Sequence, residues 1–171
     1  MLMACGLSEK HMPTLYEGNE ITGYLTAKTA KRWGMKAVPV VAGAGDNAAG
    51  AVGCGIVDAG QAMLSLGTSG VYFAVTNDYR SDPESAVHSF CHAVGHRWHL
   101  MSVMLSAASC LDWFAKNSGY SSVAELFDDV VNNTRPDDPN TPFFLPYLTG
   151  ERTPHNNPNA KAGFFGLTAS T

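Results

Sequence analysis

The stretch Val38 to Gly55, VPVVAGAGDNAAGAVGCG, constrains the fold of this chain more than any other. Val38-Pro39-Val40-Val41-Ala42 is a short apolar run of strand character. Gly43-Ala44-Gly45 then allows a tight turn, and Asp46 opens a run built almost entirely from Ala and Gly. The pattern reads as strand, glycine turn, helix. A helix without bulky side chains can bring its backbone close to a neighbour, so this one is expected to pack tightly. Upstream, Thr26 is expected to cap a short helix that runs through Trp33 and stops at Gly34.

Downstream, Ala62 to Leu66 and Val71 to Val75 flank Gly67-Thr68-Ser69-Gly70, which predicts a β-hairpin. Val87 to Val94 and Arg97 to Met104 read as two more extended runs, with a turn at Gly95-His96. Met104, Ala107, Ala108, Leu111, Phe114 and Ala115 fall on one helical face, and Gly119 stops that helix. Ser122 and Glu125 form a capping box for a second helix, whose buried face is expected to hold Val123, Leu126, Phe127, Val130 and Val131. Met1 to Leu7 reads as helix, 13–24 as a surface connection and 134–142 as a polar, Pro-rich loop. In the tail, Phe143 to Tyr147 reads as a buried strand and Gly150 to His155 as exposed. The order predicts an α/β fold with a break near Val57-Asp58-Ala59-Gly60.

Several function classes are disfavoured at once. The chain has 171 residues and a net charge of −4, with no block of Lys or Arg, so a nucleic-acid footprint is missing. No apolar run approaches the ~20 residues of a membrane helix. Cys5, Cys54, Cys91 and Cys110 are widely spaced, which suits reduced thiols in a cytoplasmic protein. Leu2-Met3-Ala4-Cys5 has the form of a lipoprotein box, but no basic and apolar leader precedes it.

Three groups could carry chemistry. Gly43-x-Gly45-x-x-Ala48 matches a loose dinucleotide fingerprint, yet no acid follows about 20 residues on. Asp46 would also repel a pyrophosphate there. Asp46 itself has two readings: a helix N-cap, or a base at the C-terminal end of a strand with Asn47 beside it for a hydroxylated substrate. Gly67-Thr68-Ser69-Gly70 is either a plain hairpin turn or a phosphate cradle of amides and hydroxyls. The histidines at 88, 92, 96 and 99, with Cys91, are dense enough to suggest zinc, but strand alternation separates them and structural roles are favoured. Trp98 and Trp113 are expected in the core or in a cleft wall.

Two long segments place these residues in a family. VPVVAGAGDNAAGAVGCGIVDAGQAMLSLGTSGVYFAV and FLPYLTGERTPHNNPNAKAGFFGLT resemble the FGGY carbohydrate kinases, and the resemblance runs through essentially the whole chain. It implies an actin-like, ribonuclease-H-like α/β fold with ATP and sugar bound between two domains. Residues 1–59 would be the C-terminal part of the first domain and 60–171 the N-terminal part of the second. Asp46 falls on the family's catalytic aspartate, and Asp46 and Asn47 on sugar-binding positions. Gly67, Thr68 and Ser69 fall on a hairpin that binds nucleotide phosphates. Ser106 to Asp112 would open toward the nucleotide, and Ala162 to Leu167 matches the start of the second family signature.

The implied reaction is phosphorylation of D-xylulose to D-xylulose 5-phosphate in pentose catabolism, with Mg2+ carried by the nucleotide rather than by residues of this chain. A related ketose or polyol is the alternative substrate. The resemblance also implies a cytoplasmic enzyme that binds neither nucleic acid nor membrane, as a homodimer in a full-length parent. Two family features are missing: an opening glycine-rich loop with a metal-associated aspartate, and a later adenine-binding segment. The chain is therefore expected to be the middle of such a kinase, inactive alone and at most a weak nucleotide binder. Some of its apolar surface should lie open.

Overall fold

The computed structural model describes residues 1–133 and 141–169. Helices and strands are mixed, in line with the α/β expectation. Strand β1 (Ile21–Tyr24) pairs antiparallel with β2 (Pro39–Val41), and helix α1 (Ala27–Trp33) lies between them in the chain. Thr26 caps α1, its side chain accepting from the Thr29 amide, and Gly34 ends it at φ 65°. The β2 strand leads through the glycine turn into α2 (Asp46–Gly53).

The main sheet has four strands in the order β3-β4-β6-β5, all antiparallel: β3 (Ala62–Leu66), β4 (Gly70–Thr76), β5 (His88–Cys91) and β6 (Trp98–Met104). The hairpin and the Gly95-His96 turn fall where the sequence places them, and His96 takes φ 59°. Helices α3 (Ser109–Asn117) and α4 (Val123–Asn133) follow, and β7 (Phe143–Leu145) pairs with β8 (Gly163–Phe165). Part of the predicted Pro-rich loop, 134–140, lies outside the described residues.

The core sits between α2 and one face of the main sheet. Ala51, Phe73, Val75 and Met101 form a buried cluster, with Ile56, Met63 and Val71 packed on it. Burial of a side chain such as Phe73 contributes about 1.5–3 kcal/mol. The small side chain of Ala51, fully buried, lets α2 lie close to Phe73. The packing is one-sided: at Gly50 and Gly53 an added Cβ would meet nothing within 4 Å. Only the alanine face of α2 is closely packed.

Other expectations need correction. Met1 to Leu7 forms only a 3-10 turn at Met3–Cys5, which Gly6 ends at φ 68°. The helix expected from Met104 starts at Ser109, because Met104 is the last residue of β6, opposite Gly70. Sheet pairing overrides the helical spacing there. The Ser122 hydroxyl does accept from the Glu125 amide, but the Glu125 carboxylate turns to the amide and hydroxyl of Ser121. Of the expected α4 face, Leu126 is buried, Val123 is half-buried, and Phe127, Val130 and Val131 are exposed. Strand β7 forms, yet Phe143 is 78% exposed. Gly150 and Glu151, expected at the surface, are buried.

The segment before β1 crosses the main sheet's β5–β6 turn at very short range. The Gly43 amide donates to the Gly18 carbonyl at 3.0 Å, and a Cβ at Gly18 would overlap the Ala93 carbonyl oxygen. Gly18→Ala should therefore cost about 1–3 kcal/mol through forced backbone displacement. Gly50→Ala, in open space on a helix, should add about 0.5–1 kcal/mol. Urea unfolding midpoints should move in these opposite directions.

Candidate active site

Asp46 is the first residue of α2. The N-cap position belongs to Gly45, whose backbone is extended (φ −62°, ψ 156°) and which makes no side-chain cap. The N-cap reading of Asp46 is thus set aside. Its side chain is exposed, and Oδ1 accepts from the Asn47 amide at 2.8 Å and from Asn47 Nδ2 at 3.3 Å. Asn47 orients one carboxyl oxygen, and the other has no partner among the described residues. The helix N-terminus also complements negative charge at this point.

Asp46 and Asn47 border a cleft of about 560 Å³, whose far wall is Phe90, Cys91, His99 and Met101 of β5 and β6. A second cleft of about 610 Å³ shares Gly45, Ala48 and Cys91 with it and is closed by Tyr16, Glu17 and Glu20. The sequence reading did not find Phe90, Cys91 or Tyr16 as walls. Phe90 reaches the wall through the β5–β6 pairing, where it lies opposite His99. Nothing local marks Tyr16, which a chain crossing brings in.

Two of the four clustered histidines, His92 and His99, serve the core. His92 Nδ1 accepts from the Val94 amide at 3.0 Å, so Nε2 carries the proton and donates to the Ile56 carbonyl at 3.1 Å. His99 is 3% exposed and stacks on Phe73 with ring centroids 4.2 Å apart. Burial, with a smaller effect from the charge of His92, pushes His99 down to about 4. Burial likewise lowers His92, and the charge of Arg97 adds to it. Among the described residues no group of three His, Cys, Asp or Glu side chains could hold a metal ion. All four cysteines are free. No helix among the described residues is long and apolar enough to cross a membrane.

The hairpin tip has an asymmetric set of polar groups. The Thr68 carbonyl accepts from the Ala107 amide and the Ser109 hydroxyl, both at 2.9 Å. The Gly67 carbonyl accepts from the Ala108 amide, and the Ser69 carbonyl from the Gly67 amide. The amides and hydroxyls of Thr68 and Ser69 have no partner among the described residues, and both residues are exposed. Acceptors are thus consumed inward while donors are left facing solvent, an arrangement suited to an anion. No hairpin residue lines the Asp46 cleft. Of the 106–112 stretch, Ser106 is buried against Thr149, with the two hydroxyls 3.0 Å apart, and does not open outward.

The N-terminal domain model of the FGGY family of carbohydrate kinases matches residues 1–53, and the C-terminal domain model matches residues 62–171. The chain belongs to the FGGY family of carbohydrate kinases. It is 68% identical over 169 residues to the xylulose kinase of Escherichia coli K12, and 62% identical over 168 residues to that of Klebsiella pneumoniae. Each match covers 98% of this chain and 34% of the relative, so the chain spans about a third of the length of the curated relatives it matches. The crystal structure of a xyloylose kinase from Brucella ovis superposes with a TM-score of 0.88 at 46% identity, over 99% of this chain and 35% of that one. The actin-like fold of the FGGY kinases is thereby established for this segment.

The buried imidazole makes this FGGY segment acid-sensitive. In the unfolded chain His99 takes a proton near its ordinary 6.5, but in the fold only at about 4. The unfolded state binds more protons between those values, so stability is full above pH 6.5 and falls as the pH drops toward 4. Urea midpoints should decline over that window. His99→Phe, which keeps the stack on Phe73, should shrink the decline and leave the part due to His92.

Proposed function

We propose that this chain is the part of an ATP-dependent xylulose kinase that supplies the catalytic base and one phosphate-binding hairpin. One observation carries the reading: within a chain 68% identical to a xylulose kinase, the exposed Asp46 carboxyl heads a helix at the edge of a cleft. Asp46 would accept the proton of the attacking sugar hydroxyl as the new O–P bond forms, while Asn47 fixes the carboxyl and bonds sugar hydroxyls. Loose phosphoryl-transfer transition states are governed by positioning and charge, so an orienting carboxylate suffices. The free donors of Thr68 and Ser69, with the Gly67 turn that holds them, would meet phosphate oxygens. ATP, bound with Mg2+, would supply the phosphoryl group, the bond from its γ-phosphorus to the β–γ bridging oxygen breaking as ADP leaves.

The same reading assigns 1–59 to the first kinase domain and 60–171 to the second, with Gly60 preceding β3. It places the enzyme in a reducing cytoplasm, which four free thiols favour. Because the chain spans a third of its relatives, the 171 residues alone should show no turnover.

The test replaces the matched third of the E. coli xylulose kinase with these residues. The chimera should form ADP in a xylulose-dependent way. Asp46→Asn should lower kcat by about 10²–10⁴-fold and leave ADP affinity within about twofold. A chimera with full turnover after that substitution overturns the role of Asp46. Turnover with another ketose or a polyol, and none with xylulose, overturns the substrate.

A further inference from the structure

Glu151 is the one buried carboxyl among the described residues, at 2% exposure. The turn that carries it is closed on itself. The Glu151 amide donates to the Asn157 carbonyl at 2.9 Å, and the Asn157 amide returns to the Glu151 carbonyl at 2.8 Å. Gly150 takes φ 80°, and a Cβ there would lie 2.7 Å from the Pro158 carbonyl oxygen. The side chain is thus delivered inward from a fixed base.

Its target is the end of β6. Strand β5 stops at His88, opposite Met101, which leaves the last part of that edge of β6 bare. Residues 151–153 take its place. The Val103 amide donates to Thr153 Oγ1 at 3.1 Å, and the Thr153 amide to the Val103 carbonyl at 3.2 Å. Two residues on, the Leu105 amide donates to Glu151 Oε1 at 3.1 Å, and the Arg152 amide donates to the same oxygen at 2.7 Å. Burial, and secondarily the charge of Glu151, push up the thiol of Cys110, the second residue of α3.

Leu105 opens the connection from β6 to α3, and that connection holds the hairpin. Ala107 and Ala108 donate to the Thr68 and Gly67 carbonyls, and the Ser109 hydroxyl also donates to Thr68. We infer that Glu151 is a positioning residue for nucleotide binding: by anchoring Leu105 it fixes the 105–109 connection, and so fixes where the free donors of Thr68 and Ser69 stand. The inference rests on the kinase reading above. An apolar side chain at 151 would leave the half-buried Leu105 amide unmet, and the connection would shift to find another acceptor.

The experiment uses the same full-length chimera, with steady-state kinetics in both substrates and ADP binding by calorimetry. Glu151→Ala removes the acceptor, and Glu151→Asp withdraws it by one methylene. Each should raise KM for ATP by about tenfold or more and weaken ADP binding in parallel, with KM for xylulose within twofold. Glu151→Gln keeps an amide oxygen at the Oε1 position and should restore nucleotide affinity to near the parent value. Thr153→Val, which loosens Val103 within β6 rather than the Leu105 connection, should lower the unfolding midpoint without changing KM for ATP.

A folded Ala or Asp variant with unchanged nucleotide affinity overturns the proposal, as does an equal rise in both KM values. A Thr153→Val shift in KM for ATP as large as that of Glu151→Ala also overturns it. If the Ala and Asp variants do not fold while the Gln variant behaves as the parent, the role is structural and the proposal falls. An unsubstituted chimera without turnover removes the kinase reading itself, and this inference with it.

Discussion

The pairing of β4 with β6 is the interaction on which the rest of this structure depends. It runs without interruption from Gly70 opposite Met104 to Thr76 opposite Trp98. Its middle presents Phe73, Val75, Met101 and His99 to one side, and α2 packs there through Ala51. Its end, at Gly70 and Met104, holds the hairpin tip beside the start of the β6–α3 connection. One ladder thus fixes both the helix that begins with Asp46 and the loop that carries Thr68 and Ser69. The register leaves no freedom between them, since a one-residue slip would turn Phe73 and Met101 outward.

The burial of His92 and His99 follows from the same ladder. His99 lies opposite Val75 and stacks on Phe73, so its ring replaces an apolar side chain in the core. A dense run of histidines in sequence looks like a metal site, yet alternation sends His99 into the core, and His92 spends both ring nitrogens on backbone groups at Ile56 and Val94. What made the cluster conspicuous is the β5–β6 hairpin, which folds distant positions of one motif onto two strands.

Local signals decided what was legible. The cap at Thr26, the stop at Gly34, the glycine turn into α2 and the hairpin around Gly67–Gly70 each rest on short-range chemistry, and the sequence reading found them. The start of α3 was misplaced because helical spacing at Met104 and Ala107 competes with a strand pairing to Gly70, far back in the chain. Glu151 was the plainest miss. Gly-Glu-Arg-Thr-Pro-His reads as a polar surface turn, and only the bare end of β6 gives a carboxyl something to do in the interior. The walls of the second cleft, beside the Asp46 cleft, were hidden for the same reason, since Tyr16 and Glu17 arrive by a crossing that Gly18 permits and no periodicity announces.

The apolar pattern of β3 and β4 adds a constraint of its own. Met63, Val71, Phe73 and Val75 point to the α2 side, but Leu64, Leu66 and Tyr72 are all apolar and exposed on the other. Leu64 sits directly opposite Tyr72 in the register. A strand covered on one face alternates apolar with polar, whereas a strand covered on both reads as a continuous apolar run. Ala62 to Leu66 and Val71 to Val75 read the second way. Among the described residues the ladder is therefore held from one side only, by a helix whose own outer face at Gly50 and Gly53 is open. Burial of the second face would add apolar area at about 25 cal/mol per Å² to the ladder that sets the hairpin. The donors of Thr68 and Ser69 would then be held rigidly by packing as well as by the 105–109 connection.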